Sequence, residues 1–571
     1  MALGAFKKQT PERAPLLARV QSRLRGGPEP VKGFAHQPEP LMRGSYAKGC
    51  QLIAGNFRFA GHLVEAPGAS IWGLTAPDAL FSEVIHGCEW LDDLAAVGDG
   101  VSRKLAQAWV HDWITRYGAG SGVPWRSDVI GRRLIRWVSH AIFLMNGQSS
   151  DQNKRFFASL SVQAKYLGRN WAATPPGQAR FETLTGLLYA GISLDGLADT
   201  VLPVSQALAR ECDSEIDAGG GLSTRSPEEL LEVFTLLSWA ARAVSDAGHT
   251  VQPGHSAALE RMAPTLRMLR HTDGGLARFH GGGRGAEGRL DQILESYPAA
   301  LPEASGQHMG FARLEHRSSS VIVDASAPPS GRSSLQAHAS CLAFELTSAR
   351  SPIIVNCGSG TQLGPDWRRA GRATPSHSTL CIDGVSSARL KSGAEGEQLV
   401  GGPRRVTAKL DVTGDKSQLF ASHDAYLKNY GLTHVRKLEL DSTGAVLSGE
   451  DTLGSLDEKA RARFEAHMDQ NALSGVGFSI RFHLHPDIDP SLDMGGTAIS
   501  LTLKNREVWV FRSAGAVDMR LNRSVFLEKD RLKPRPSQQI VLSSRVMEYG
   551  ARVSWVLVKA QEAPLGRFVL T

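Results

Sequence analysis

The sequence predicts an α-then-β chain, a helical array followed by an antiparallel β-domain, on three observations. Its 571 residues are too many for one ordinary hydrophobic core and suit two large domains. From about residue 45 to 290 apolar side chains recur at helical spacing. After the Gly-rich break "FHGGGRGAEGRL" the period falls to that of strands. The domains are therefore placed at 45–290 and 300–571, behind an N-terminal extension at 1–44.

The extension, "MALGAFKKQTPERAPLLARVQSRLRGG", lacks the continuous apolar stretch of a signal peptide, and no run of about 18 apolar residues occurs anywhere in the chain. A cytoplasmic protein without a transmembrane segment is expected, with the periplasm or cell envelope as the alternative. In "SRKLAQAWVHDWITRYG" Leu105, Trp109, Trp113 and Ile114 share one helix face, with Ser102 placed as N-cap and Gly118 as stop. "IGRRLIRWVSHAIFLM" repeats the device with Ile130, Leu134, Trp137, Val138 and Ala141, and four further segments up to "SAALERMAPTLRMLRHT" follow it. Beyond the break, "SSSVIVDAS", "SPIIVNCGS", "STLCIDG", "SIRFHLHP" and "RVSWVLVKA" alternate or run apolar between turn residues, while "LELDSTGAVLSGED" and "LTLKNREVWV" read as hairpins. Stacked antiparallel sheets are the expected form.

Composition excludes several classes. Hydrophobic residues at 42% and charged residues at 21% describe a soluble globular protein, neither disordered nor membrane-embedded. A net charge of +7, from 64 Lys and Arg against 57 Asp and Glu, comes without a basic stripe or a nucleic-acid motif, so no nucleic-acid partner is expected. An acidic polysaccharide is compatible with that charge. The six cysteines form no C-x-x-C pair, which argues against zinc ribbons and leaves buried, reduced thiols.

"GNFRFAG" at Gly55 to Gly61, "GQARFETLTGLLYAG" at Gly177 to Gly191, "GGGLSTRSPEELLE" at Gly219 to Glu232, "AHASCLAFEL" at Ala337 to Leu346, "RATPSHSTLCIDG" at Arg372 to Gly384 and "RFHLHP" at Arg481 to Pro486 occur in an order that resembles the heparinase II/III family of polysaccharide lyases. The resemblance implies an incomplete (α/α) toroid whose glycan groove is closed by a β-sandwich. It also implies cleavage of a uronate-containing polysaccharide or oligosaccharide by β-elimination. In that chemistry a base removes the C5 proton, donors or cations neutralise the carboxylate, and an acid protonates the leaving oxygen. Family members use an Asn or His for neutralisation and a Tyr and a His for proton transfer.

Carried over by position, the neutralising amide falls on Gln178, the tyrosine on Glu229 and the first histidine of a His-x-His pair on Gln336. His338 matches the second histidine. In part of the family this histidine resembles a ligand of a structural metal, and the other ligands would here be Asn356 and His377. Those residues make Zn²⁺ the cofactor to test, with Cys357 as a nearby thiol. Two readings of His338 stand open: a hydrogen-bonded core histidine, or a metal ligand or proton-transfer group. The candidate catalytic set is thus His338, Gln178, Glu229, Arg225 and Gln336.

Arg225 follows a Gly-rich loop, where it could meet a sugar carboxylate or pair with Glu228 or Glu229. Arg180, Arg132 and Trp137 are the substrate-binding candidates, with Trp109 and Trp171 as further rings that could stack on sugars or fill the core. His483 and His485 lie two apart on a strand and are expected to be hydrogen-bonded. Two alternatives to a lyase are kept: a non-catalytic glycan-binding protein of an exopolysaccharide system, and a hydrolase using Glu182 and Glu229.

Overall fold

The computed structural model describes residues 31, 33–297, 306–391, 397–515, 517–529 and 531–561. Most of the N-terminal extension lies outside them. The order of elements is the one read from the sequence: helices from Tyr46 to Glu295, then strands from Phe311 to Gln561. The fold is an incomplete (α/α) toroid followed by an antiparallel β-sandwich. Among the described residues no helix is long and apolar enough to cross a membrane.

Local chemistry sets the helix ends. Helix Gly100–Tyr117 is capped by Asp99, whose carboxylate accepts the Ser102 N–H at 2.7 Å, so the cap stands three residues before the Ser102 expected from sequence. Gly118 ends it as expected. Helix Ser150–Asn170 opens on a capping box of Ser149 and Gln152. The segment read as one helix at 130–145 is two, Ser127–Ser139 and Ala141–Met145, broken at His140. A hairpin, Asn56–Phe59 with His62–Glu65, interrupts the helical half where only helices were expected.

Two compact units result, and they do not divide at residue 290. Residues 1–215 and 235–257 form the helical unit, whereas 216–234 and 258–571 form the sandwich unit. Helices Pro227–Asp246 and Pro253–Met268 are therefore shared between units, a division that periodicity cannot reveal. Within the sandwich unit the loop at Gly220 packs on the Arg261 backbone.

The sandwich holds one apolar core between two sheets. The first runs, in spatial order, through strands Val406–Val412, Lys416–His423, Thr433–Asp441, Val446–Gly454, Gly550–Gln561, Val508–Ala514, Ala498–Thr502 and Asp489–Asp493. The second runs through Asp518–Phe526, Arg535–Val546, Val476–Leu484, Ser351–Val355, Phe344–Ser348, Ser319–Asp324 and Phe311–His316, with Leu380–Ile382 also paired to Val476–Leu484. Trp555 of the first sheet stacks on Phe344 of the second at 5.8 Å and meets Phe482 edge-on at 4.8 Å, joining the layers. Both expected hairpins are present, in registers that include Leu440 with Leu447 and Thr502 with Val508. Helix Glu458–Gln470 stands in the β-half where none was expected.

Candidate functional site

The sequence candidates fall into two clusters, one in each unit. In the helical unit, helices Ser127–Ser139 and Gln178–Ser193 approach so closely that only glycine fits between them. A Cβ on Gly131 would stand 2.2 Å from the Glu182 carbonyl oxygen, and one on Gly186 would stand 2.4 Å from the Gly131 Cα. That contact brings Arg132 to Glu182, Nε to Oε2 at 3.5 Å, while its Nη2 lies 3.6 Å from Asp128 and its Nη1 3.9 Å from Glu89. Gln178 donates from its amide to Glu182 Oε1 at 3.2 Å. Burial pushes the Glu182 carboxyl up to about 7, against the pull of Arg132. One turn along, Asp92 takes the Arg136 Nε–H and the His140 Nε2, both at 2.9 Å.

Arg180 turns its donors to the Thr174 carbonyl and, at 3.1 Å, to Glu211, which also accepts the Gly177 N–H. It locks the start of its own helix. Trp137 requires correction as a sugar-binding candidate: it is wholly buried, packed on Phe156 at 5.6 Å and Trp113 at 5.3 Å. Trp109 is likewise core, and Trp171 is half-buried.

In the sandwich unit Arg225, at φ 53°, follows a Gly-rich turn and spends every N–H internally. Its Nε bonds to Met309 O at 3.0 Å, Nη1 to Ser326 O and Ala327 O, and Nη2 to Gly310 O at 2.8 Å and Asp324 Oδ1 at 2.5 Å. Neither expected partner, a sugar carboxylate or Glu228 or Glu229, is the one it has. Glu228 pairs instead with Lys529 and accepts the Gly283 N–H. Burial alone would raise the Asp324 carboxyl, but Arg225, His280 and Ser340 outweigh it and hold the group well below the usual carboxylate range.

From Asp324 a line of imidazoles continues. His280 Nε2 faces Asp324 Oδ2 at 3.4 Å, its Nδ1 accepts the His338 N–H at 3.2 Å, and His338 Nδ1 lies 3.0 Å from His377 Nε2. His377 Nδ1 donates to Ala373 O at 2.9 Å. All three rings are buried. Desolvation, with the neighbouring ring of His377, holds His338 well below its ordinary value, and desolvation brings His377 down to about 4, so both are neutral near pH 7. His338 is thus a buried, hydrogen-bonded histidine.

Asn356, the third metal candidate, accepts the Ser378 N–H at 3.0 Å and turns its amide nitrogen to Glu345 at 3.4 Å. Cys357 contacts His483 at 3.4 Å rather than the His338 pair, and burial raises its thiol to about 11. His483 bonds to Pro375 O and Ser524, and His485 Nδ1 accepts the Asp487 N–H, as the hydrogen-bonded reading expects. Gln336 is exposed, and Glu229 is half-buried at the start of its helix. Glu182 and Glu229, the proposed hydrolase pair, belong to different units.

Sequence reasoning missed His280, Asp324, Glu345 and His271. The available signals were a carboxylate ending the apolar run "SSSVIVDAS" and a histidine opening the Gly-rich break. A cavity of about 740 Å³ elsewhere in the sandwich unit is lined by Arg267, Arg270 and Arg313. These cap the carbonyls of Leu294, Gly274 and Met268, which gives them a structural role.

Residues 299–556 match the model of the heparinase II/III-like C-terminal domain. Over 548 residues, 94% of this chain and 91% of the relative, the sequence is 29% identical to FtsZ-localized protein C of Caulobacter vibrioides. Among solved structures, heparinase III superposes with a TM-score of 0.70 at 13% identity, covering 95% of this chain and 88% of that one. A heparan sulfate lyase mutant from Pedobacter heparinus superposes at 0.59 with 15% identity, covering 96% and 88%. At such identities these two share the fold, which is what the likeness establishes.

Proposed function

Because the chain carries a heparinase II/III-like C-terminal domain, we propose that it is a lyase-fold protein that binds an anionic glycan without cleaving it, and that it works at the site of cell division. One observation carries the loss of chemistry: the Arg225 guanidinium, the cation best suited to a uronate carboxylate, has all five N–H groups committed to four carbonyls and Asp324. The proton-transfer positions support it. Elimination asks for a tyrosine and a histidine where Glu229 and Gln336 stand, and an amide such as Gln336 neither takes nor gives a proton near neutral pH. The post at the division site follows the name of the relative that spans nearly the whole chain. An acidic polysaccharide or oligosaccharide as ligand follows the fold of the lyases and suits the net charge of +7.

A second reading, elimination with His338 as base, is favoured by its neutral ring, whose Nε2 makes no hydrogen bond among the described residues. One assay separates the two. The purified protein is incubated with heparin, hyaluronan, alginate, gellan and glucuronan while ultraviolet absorbance of the unsaturated uronate is followed, and the same glycans are titrated by calorimetry. Binding heat with a flat absorbance trace supports the proposal. Rising absorbance, lost in His338→Ala, establishes the lyase. No heat and no absorbance with any glycan removes both. The division-site post is tested with a fluorescent fusion, and a diffuse signal that never meets FtsZ rejects it.

A further inference from the structure

The resemblance implies a structural metal held by the residues at 338, 356 and 377, and the side chains found there do not fit one. We infer that the His338–His377 pair is closed by a hydrogen bond in place of a metal, and that the sandwich needs no zinc at this point. The inference concerns the fold and does not rest on the glycan reading.

The Ala373 carbonyl can only accept, so His377 Nδ1 carries its proton and Nε2 is bare. Two bare nitrogens facing each other at 3.0 Å would repel, so either a proton or a cation lies between His377 Nε2 and His338 Nδ1. Two imidazoles on one tetrahedral zinc stand roughly 3.3 Å apart, so their spacing admits either.

The other ligands decide. Structural zinc takes four nitrogen or sulfur ligands, or carboxylates, and needs anionic ones to offset its charge. Asn356 is neutral, its oxygen holds the Ser378 N–H, and its nitrogen faces Glu345. The Glu345 carboxylate is already held by the Arg278 N–H at 3.0 Å and by His271 at 3.4 Å. Cys357 points its thiol at His483. Among the described residues no group of three or more His, Cys, Asp or Glu side chains is placed to hold an ion. A proton on His338 Nδ1 satisfies every contact. The bond then extends a line of contacts from Arg225 through Asp324 and His280, by way of the His338 backbone N–H, to the His338 and His377 rings and the Ala373 carbonyl.

The test is elemental analysis of the full-length protein, purified without chelator, beside its melting temperature with and without EDTA. Zinc far below one per chain and an unchanged melting temperature are expected. One zinc per chain, or a melting temperature that falls in EDTA, overturns the inference. Asn356→Asp supplies the missing carboxylate beside the pair. It is expected to take up zinc and to melt higher when zinc is added, because the new charge next to Glu345 is unfavourable without a cation. A folded Asn356→Asp that takes no zinc overturns Asn356 as the missing ligand. Should that variant fail to fold, the wild-type metal content still decides.

Discussion

The two buried charge clusters solve the same problem in opposite ways. In the helical unit Glu182 shares Arg132 with Asp128 and Glu89, none of these ion pairs is shorter than 3.5 Å, its one short donor is the neutral Gln178 amide at 3.2 Å, and the carboxyl is left titrating near neutrality. In the sandwich unit Asp324 receives Arg225 at 2.5 Å and Ser340 at 2.6 Å, and the imidazoles beyond it are held neutral. The difference teaches that burial alone does not fix a group's charge. How many short, directed donors reach the group decides whether it stays ionised or drifts into the physiological range.

The largest effect should come from breaking the tight cluster. Arg225→Ala leaves the Asp324 carboxylate buried without its cation and is expected to cost about 3–5 kcal/mol, read as a fall in the denaturant midpoint. Arg225→Lys should recover little, because an ammonium cannot reproduce the five-donor fork.

The loose cluster should announce itself through pH. Folded Glu182 holds its proton up to about 7 while the unfolded group releases it near 4.5, so the folded state binds more protons between those values and loses stability as pH rises through them. Glu182→Gln removes this slope and should gain on wild type by up to about 3 kcal/mol between the two limits, at about 1.4 kcal/mol per pKa unit. His377 has the opposite sign. Its folded value near 4 lies below the unfolded 6.5, so its contribution is present above 6.5 and is lost as pH falls towards 4. Melting curves of Glu182→Gln and His377→Gln across pH 4 to 8 should therefore diverge from wild type in opposite directions; parallel shifts would break the contrast.

Gly131→Ala drives a methyl into the Glu182 backbone and should cost about 1–3 kcal/mol while disturbing the pH slope that Glu182 produces. The smallest effect is expected at Gln336, which is exposed: Gln336→Ala should stay within about 0.5 kcal/mol of wild type by thermal melting.

The two halves were legible because helical and strand periods are local, and each face repeats within a dozen residues. The unit boundary was not, since helices Pro227–Asp246 and Pro253–Met268 each have residues in both units and look the same in sequence. His338 and His377 were found by position in a motif. What holds them was not, because Asp324 lies 99 residues from Arg225 and His280 lies 58 from His338. Contacts at such separations leave no periodic trace. Trp137 shows the limit from the other side: an indole at helical spacing looks alike in a groove or a core, and only packing places it.

The strand order of the first sheet has a consequence in time. Among the described strands Gly550–Gln561 is made last, yet it lies in the middle of its sheet, between Val446–Gly454 and Val508–Ala514. Until it leaves the ribosome the sheet exists as two pieces, each with an open edge ready to pair with a neighbouring nascent chain. At roughly 5–20 residues per second, Val446–Gly454 waits on the order of five to twenty seconds for its partner. Chains stopped even a few residues before Gly550 should therefore be cleared or aggregate, and the first sheet becomes continuous only once Gly550–Gln561 has joined it.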